Sequence, residues 1–237
     1  MGVSNRAGSG WNNQLYSLIK IKKKGSKLVI KIIPFILGPI ENNSYLIIDI
    51  PSNKAAIVDP SFGSKKILVE AEKNNYEISQ IWCTHAHFDH ISGINEIMPE
   101  LSHSPEIYLH KDDLPLWNDH GGARLFGFPF ENKYTPTHLL ENFNSIQLGN
   151  IEIHTRYTPG HTPGHIIYHV NKENIVFCGD LIFRMSVGRT DLPGGNHLQL
   201  LKSIEQEIKT LPDETRLLSG HGPETTVGYE KKYNPFL

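Results

Sequence analysis

One short segment of the chain concentrates side chains that bind metal ions. His85, His87, Asp89 and His90 fall within six residues, directly after the apolar run Ile78–Cys83. In an extended segment, alternation places His85 and His87 on one side, where both can hold one ion. Asp89 and His90 follow at the turn into the next predicted helix, where a second ion could bind. Because buried imidazoles and carboxylates need partners, this segment indicates a metal site rather than a structural role.

Three later segments each place one more metal-binding side chain at the end of a predicted strand. His161 lies in a loop rich in Gly and Pro, Asp180 follows Gly179, and His221 lies between two glycines. Glycine lets the backbone approach a ligand closely, and a carboxylate at Asp180 could bridge two cations. The Asp180 and His221 segments are common turns by themselves. The four segments together, in this order, strongly indicate a metal centre.

Residues beside these segments are candidates for supporting the ligands. Thr84 is interpreted as ligand support, and Asp59 either orients a ligand imidazole or forms a buried turn. His165 starts a strand four residues after His161, which favours a supporting hydrogen bond over ligation. Cys83 and Cys178 are interpreted as small buried apolar residues. The other histidines fit no ligand pattern and are predicted at the surface or in loops: His103, His110, His120, His138, His154, His169 and His197.

The elements that must position these residues are short strands and helices. Runs rich in Ile and Val, bounded by Gly, Pro and Asn, predict strands: Leu28–Phe35, Ser44–Ile50, Lys54–Val58, Ile78–Cys83, Glu106–His110, Ile151–Tyr157, His165–Val170, Asn174–Cys178 and Thr215–Leu218. Helical spacing predicts helices at Ser64–Asn74, Ile91–Met98 and Leu198–Lys209. The segment from Leu114 to Asn144 lacks a clear period and is predicted to be a long functional loop, with Trp117, Phe126, Phe128 and Phe130 in a groove or the core. This order favours an α/β (α+β) fold of two mixed sheets packed face to face, with helices outside.

Composition limits the alternatives. The chain has 237 residues, a formal net charge of -2, two cysteines and 13 histidines, so neither a nucleic-acid-binding surface nor a disulfide framework is expected. No uncharged apolar run is long enough to span a bilayer, and the expectation is a soluble, cytoplasmic protein. Residues 1–27 are predicted to be a flexible basic extension, with an organellar address as the alternative. Residues 28–237 are predicted to be the catalytic domain.

The order His-x-His-x-Asp-His, then His, Asp and His, resembles that of the metallo-β-lactamase-fold hydrolases. The resemblance runs from about residue 28 to the end of the chain. It implies a four-layer αββα sandwich with two divalent metal ions at one edge, usually zinc, with iron or manganese as alternatives. His85, His87 and His161 would hold the first ion, and Asp89, His90 and His221 the second. Asp180 would bridge both, and Asp89 and Asp180 are the candidate catalytic residues.

Two further segments resemble the short, single-domain members of the glyoxalase II (hydroxyacylglutathione hydrolase) branch. These are Gly188-Arg189-Thr190-Asp191-Leu192-Pro193-Gly194-Gly195 and Tyr233-Asn234-Pro235-Phe236. The resemblance implies that Arg189 contacts the carboxylate of a glutathione-containing substrate. Asp191 stands where that branch usually has a tyrosine, and Pro223 where it has an aromatic residue.

The resulting hypothesis is a binuclear thioesterase acting on S-lactoylglutathione or a similar small molecule. A metal-bridging hydroxide would attack the thioester carbonyl. A thiolate, with a pKa of about 8.5, leaves without a dedicated general acid. The alternatives are a persulfide dioxygenase-like oxidoreductase with one iron, or a lactonase or β-lactamase-like hydrolase. The sequence carries no signal for the oligomeric state.

Overall fold

A computed structural model describes residues 19–20 and 30–237 of the chain. Of the predicted basic extension, 1–27, only Ile19–Lys20 is described, as a short strand. The rest of that extension lies outside the described residues, as do the first two residues of the strand predicted at Leu28–Phe35. Among the described helices, none is both long enough and apolar enough to cross a membrane.

The first sheet has seven strands that lie side by side in chain order. Its strands are β1 (Ile19–Lys20), β2 (Ile30–Leu37), β3 (Asn42–Asp49), β4 (Lys54–Val58), β5 (Glu77–Trp82), β6 (Glu106–His110) and β7 (His138–Leu140). Strands β1 to β4 pair antiparallel, whereas β4 to β7 pair parallel. The carboxyl ends of β4, β5 and β6 therefore lie at the same edge of the sheet.

The second sheet has six strands, which are β8 (Phe143–Leu148), β9 (Ile151–Tyr157), β10 (Ile166–Val170), β11 (Ile175–Gly179), β14 (Arg216–Ser219) and β15 (Thr225–Thr226), while β12 (Ile182–Phe183) and β13 (Ser186–Val187) form a separate ribbon. The order of the six strands across the sheet is β15-β14-β11-β10-β9-β8. Strands β11 and β14 pair parallel, with Phe177 opposite Leu218, and the other pairs are antiparallel. The ends of β9, β11 and β14 lead into the segments that carry His161, Asp180 and His221.

Three buried apolar clusters separate the layers. One fills the space between the sheets, with Ile47 and Trp82 from the first sheet and Tyr168 and Phe177 from the second. A second cluster lies between the first sheet and α1 (Lys65–Lys73), α2 (Phe88–Ile91), α3 (Ile94–Ile97) and α4 (Leu114–Asn118). The third lies between the second sheet and α5 (His197–Ser203), the π-helical turn Ile204–Ile208 and α6 (Val227–Tyr233). These layers are helix, sheet, sheet and helix, and they confirm the predicted fold class.

Two predicted elements are wrong in detail. The segment from Leu114 to Asn144 is not one long loop, since it contains α4, the 3₁₀ segment His120–Phe126, β7 and the start of β8. Strand β8 has exposed Ser145 and Gln147 alternating with buried Ile146 and Leu148, so only two of its residues are both apolar and buried. The helix predicted at Ile91–Met98 is interrupted, because Ile91 ends α2, Ile94–Ile97 forms α3 and Met98 begins the 3₁₀ turn Met98–Glu100.

Candidate metal centre

The seven predicted ligands lie together at the edge where the strand ends of both sheets meet. His85, His87, Asp89 and His90 follow β5 of the first sheet, and the others follow strands of the second. Six of the seven are buried, and His221 is partly exposed. Neither sheet alone contains the whole set, so the packing of the two sheets assembles it.

The first group comprises His85, His87 and His161, which offer ligand atoms within 4.8 Å of one another. The closest approach is 2.9 Å, between His87 Nδ1 and His161 Nε2. The ring centroids of His85 and His161 are 4.7 Å apart and their planes are nearly perpendicular. Three convergent imidazoles of this kind form a donor set suited to a first-row divalent ion.

The second group comprises Asp89, His90 and His221, again with ligand atoms within 4.8 Å. Asp89 Oδ2 is 3.2 Å from both His90 Nε2 and His221 Nε2. Asp180 lies between the groups: its Oδ1 is 3.4 Å from His90 Nε2, and its Oδ2 is 3.6 Å from His161 Nε2. One carboxylate therefore faces both donor sets.

The far sides of three imidazoles are held by hydrogen bonds that fix which nitrogen faces the centre. His161 Nδ1 donates to the Arg189 carbonyl at 2.7 Å. His85 Nδ1 is 3.0 Å from the Thr84 hydroxyl, and His90 Nδ1 is 3.1 Å from Asp59 Oδ2. The Nε2 atom of His85 is buried and lacks a hydrogen-bond partner among the described residues, and the buried Nε2 atom of His90 faces the carboxylates of Asp89 and Asp180. Since metal-binding histidines commonly carry this outer hydrogen bond, the residues fit a metal centre.

The protonation states of the cluster suit cation binding. Burial lowers the pKa of His85 well below its ordinary value and that of His87 to about 3, so both rings are neutral at pH 7. Burial raises the pKa of Asp180, but the nearby imidazoles, His90 first, outweigh it and hold this pKa below its usual range. For His90, burial opposes protonation, yet Asp89 and Asp180 raise its pKa overall. A divalent cation would replace that proton, because metals bind neutral imidazoles and ionised carboxylates.

The predicted supporting residues contact the ligand segments. Asp59 follows β4 and accepts bonds from the backbone N–H and the hydroxyl of Thr84, both at 2.7 Å. His165 accepts a bond from the backbone N–H of Asp180 at 3.2 Å through Nε2, and its Nδ1 is 2.9 Å from the Thr158 hydroxyl. Both nitrogens of His165 are therefore occupied by protein groups.

A cavity of about 330 Å³ opens over the cluster. His87, Asp89, His161, Asp180 and His221 lie at its base, and its apolar wall consists of Ile40, Phe88, Phe126, Phe183, Val187 and Leu192. Arg189 also lines the cavity, but its guanidinium makes two 2.7 Å bonds to the Asp191 carboxylate. The Arg189 guanidinium also lies 6.0 Å from the ring centroid of Phe126. Arg189, the predicted substrate contact, thus lies in the cavity, and its charge is paired with the Asp191 carboxylate.

The sequence did not single out Asp113, a fully buried carboxylate beside the centre. It ends the 3₁₀ turn Lys111–Asp113 directly after β6, just as Asp59 directly follows β4. The signal that could have found it is this position, because carboxyl ends of adjacent parallel strands meet at one edge.

Two histidines predicted at the surface or in loops are buried instead. His110, at the end of β6, is fully buried, and its ring stacks on Tyr157 with centroids 4.6 Å apart. His169 lies in β10 and is 2% exposed. Both are covered by residues distant in sequence, which spacing along the chain does not reveal.

Comparison with known proteins places this centre in a family. Residues 37–221, a span that includes all seven predicted ligands, match the metallo-beta-lactamase superfamily. The chain belongs to the metallo-beta-lactamase superfamily.

Relatives in this superfamily include hydrolases. The probable metallo-hydrolase YqgX of Bacillus subtilis is 37% identical over 204 residues, covering 85% of this chain and 94% of that protein. The hydroxyacylglutathione hydrolase GloC of Haemophilus influenzae is 31% identical over 209 residues, covering 88% and 97%. These relatives support a metal-dependent hydrolase.

Solved structures of superfamily members have the same fold. The B3 metallo-beta-lactamase BLEG-1 is 37% identical with a TM-score of 0.81, covering 87% of this chain and 99% of that one. TTHA1623, solved in a di-iron-bound form, is 36% identical with a TM-score of 0.76, covering 86% and 99%. The metallo-beta-lactamase fold is thus common to this chain and to these solved structures.

Proposed function

We propose that the chain is a binuclear metal-dependent thioesterase of glyoxalase II type. The observation that carries this proposal is the convergence of a group of three histidines with a group of one aspartate and two histidines, with Asp180 between them, at the base of an open cavity. The similarity to the hydroxyacylglutathione hydrolase GloC supports the choice of a thioester.

In this proposal each group of ligands holds one cation. His85, His87 and His161 would hold the first, Asp89, His90 and His221 would hold the second, and Asp180 would be available to both. Zinc is the expected ion, with iron or manganese as alternatives, because nitrogen and oxygen donors without thiolate suit all three. When bound, such cations would lower the pKa of a coordinated water to near 7 and would act as a Lewis acid for the substrate carbonyl.

The remaining cavity residues determine what can be bound and cleaved. The apolar wall formed by Phe126, Phe183 and Leu192 suits the uncharged part of an acyl thioester. Apart from the proposed ligands, the polar residues described in the lining are Ser186 and Arg189. A thiolate can leave without a protonated partner, so this lining favours thioesters over amides.

The first test is the loss of thioester absorbance from S-lactoylglutathione, with protein purified without added metal and its metal content measured in parallel. Turnover on the order of 1–1000 per second with two ions per chain is expected. His161→Ala should abolish turnover, whereas His197→Ala, which removes an exposed histidine of α5, should not. A folded, metal-loaded protein without turnover would contradict the thioesterase. Oxygen consumption with one iron per chain would indicate an oxidoreductase.

The second candidate is β-lactam hydrolysis, favoured by the likeness to the B3 metallo-beta-lactamase BLEG-1. An amide nitrogen needs a proton as it leaves, and the cavity lining supplies few donors for this step. Hydrolysis of a chromogenic cephalosporin, measured in parallel with hydrolysis of the thioester, distinguishes the two activities. The thioesterase proposal expects a far larger kcat/KM for the thioester.

A further inference from the structure

Asp113 is a buried acidic residue that belongs to neither ligand group. Its side chain is fully buried in the turn that follows β6, the strand next to the one that leads into His85. No Lys, Arg or His side chain within residues 30–237 makes an ion pair with it. A buried carboxylate without a cation is costly unless hydrogen bonds stabilise it. The hydrogen bonds that the Asp113 carboxylate accepts therefore account for its burial.

The Asp113 carboxylate accepts three hydrogen bonds from two ligand segments. Its Oδ2 accepts from the backbone N–H of Ala86 at 2.8 Å and from the hydroxyl of Thr162 at 2.9 Å. Its Oδ1 accepts from the backbone N–H of Gly164 at 2.6 Å. Ala86 lies between His85 and His87, and Thr162 directly follows His161. One side chain therefore joins the two segments that supply the first ligand group.

The same two segments approach closely around this carboxylate. A side chain at Gly164 would collide with the backbone and carboxyl group of Asp113. Beside it, the Tyr157 hydroxyl donates to the Pro163 carbonyl at 2.8 Å and lies 3.2 Å from Asp112 Oδ2. The turn Lys111–Asp113 thus fixes the His161 loop at more than one point.

We propose that Asp113 is a positioning residue for the first ligand group, setting the spacing between the His85–His87 segment and His161. This role rests on the metal centre of the proposed function. In the second group, His90 contacts a different buried carboxylate, that of Asp59, and no ligand of this group contacts Asp113 among the described residues. Loss of Asp113 should therefore weaken one metal site and leave the other in place.

Substitution by asparagine tests the carboxylate itself. Asparagine keeps the shape but has one acceptor oxygen in place of two, so it cannot accept from both Ala86 and Gly164. We expect Co²⁺ titration of metal-free Asp113→Asn to show one site weakened by about tenfold to a hundredfold. The visible absorption band of Co²⁺ at that site should shift. His87→Ala and His221→Ala, which each remove one ligand, assign the two phases of the wild-type titration.

The weakened phase in Asp113→Asn must be the phase lost in His87→Ala. Equal weakening of both phases, weakening of the other phase alone, or an unchanged titration with two bound ions would each overturn this role of Asp113. Wild-type protein that binds no Co²⁺ would overturn the metal centre and this role with it.

A second pair of variants covers the case in which Asp113→Asn fails to fold. Thr162→Val keeps the volume but removes one of the three donors, and we expect a smaller weakening of the same phase. Thr162→Ser keeps the hydroxyl and should retain the wild-type affinity for Co²⁺. Identical affinities for the Val and Ser variants would overturn the proposal.

Discussion

Asp180 is the side chain that faces both ligand groups, because each of its oxygens points toward a different imidazole. Its Oδ1 is nearest His90 and its Oδ2 is nearest His161. We expect Asp180→Ala and the isosteric Asp180→Asn to lose both ions together. Metal analysis after gel filtration measures this, with circular dichroism to check folding. Two ions retained per folded chain would contradict the shared position.

We expect the ion pair between Arg189 and Asp191 to influence how the cavity binds a charged substrate. Asp191 lies beside the one arginine of the cavity lining, and a substrate carboxylate would approach both groups. We expect Asp191→Asn to raise kcat/KM for a thioester whose carrier bears a carboxylate, by up to about fivefold, since exposed ion pairs contribute roughly 0–1 kcal/mol. A thioester of an uncharged carrier should change little.

The matched control for this variant is Glu100→Gln, which removes an exposed acid paired with Lys65 on α1. It changes the net charge equally without altering the cavity. If both variants raise kcat/KM to the same extent, the effect comes from overall charge and not from Arg189.

At the scale of elements, the glycines around His221 show how closely the strand ends approach. A side chain at Gly220 would collide with Asp180 Oδ1 and His90. Gly222 has a φ of 73°, and a Cβ added there would meet nothing within 4 Å. We expect Gly220→Ala to lose metal. Gly222→Ala should cost about 1 kcal/mol of folding stability and keep the metal. Metal content and urea unfolding of the two variants distinguish steric displacement from backbone strain.

Local patterns predicted the elements and residues whose signal lies within one segment. The strands Lys54–Val58 and Ile151–Tyr157 have the predicted bounds, because each is a short apolar or alternating run between turn residues. The segment His85–His90 is recognisable for the same reason, since its spacing is local. The superfamily and fold class follow from the order of these segments and are confirmed.

Residue spacing along the sequence does not reveal contacts between distant segments. Asp113, in the turn after β6, acquires its partners from Ala86, which follows β5, and from Thr162, which follows β9 of the second sheet. His110 is covered by Tyr157, which belongs to the other sheet. The pairing of Arg189 with Asp191 depends on loop geometry rather than on residue type.

For the whole molecule, buried neutral histidines make stability depend on pH. His169 is buried in the second sheet, and neither ring nitrogen has a hydrogen-bond partner among the described residues. Burial, with Arg156 and His154 nearby, lowers its pKa to about 4. An unfolded histidine has a pKa near 6.5, so between pH 6.5 and 4 the unfolded chain binds a proton that the folded chain does not. Stability therefore falls as the pH falls through this range.

We expect His169→Phe to remove this contribution. Urea unfolding in the presence of a chelator should give the variant a higher midpoint than wild type at pH 5, with a smaller difference at pH 7.5. His197→Gln, which removes an exposed histidine, serves as the control. An equal shift at both pH values would mean that better packing, and not protonation, accounts for the gain.

The ligand set is divided between the two sheets. Residues 30–140 contain the first sheet apart from β1 and supply His85, His87, Asp89 and His90, while residues 143–226 contain the second sheet and supply the other three. The chain passes between them once, at Glu141 and Asn142. Two fragments separated at this point would each hold an incomplete coordination shell. Their reassembly would be favoured by divalent ions and reversed by a chelator, so the metal would report on fragment complementation.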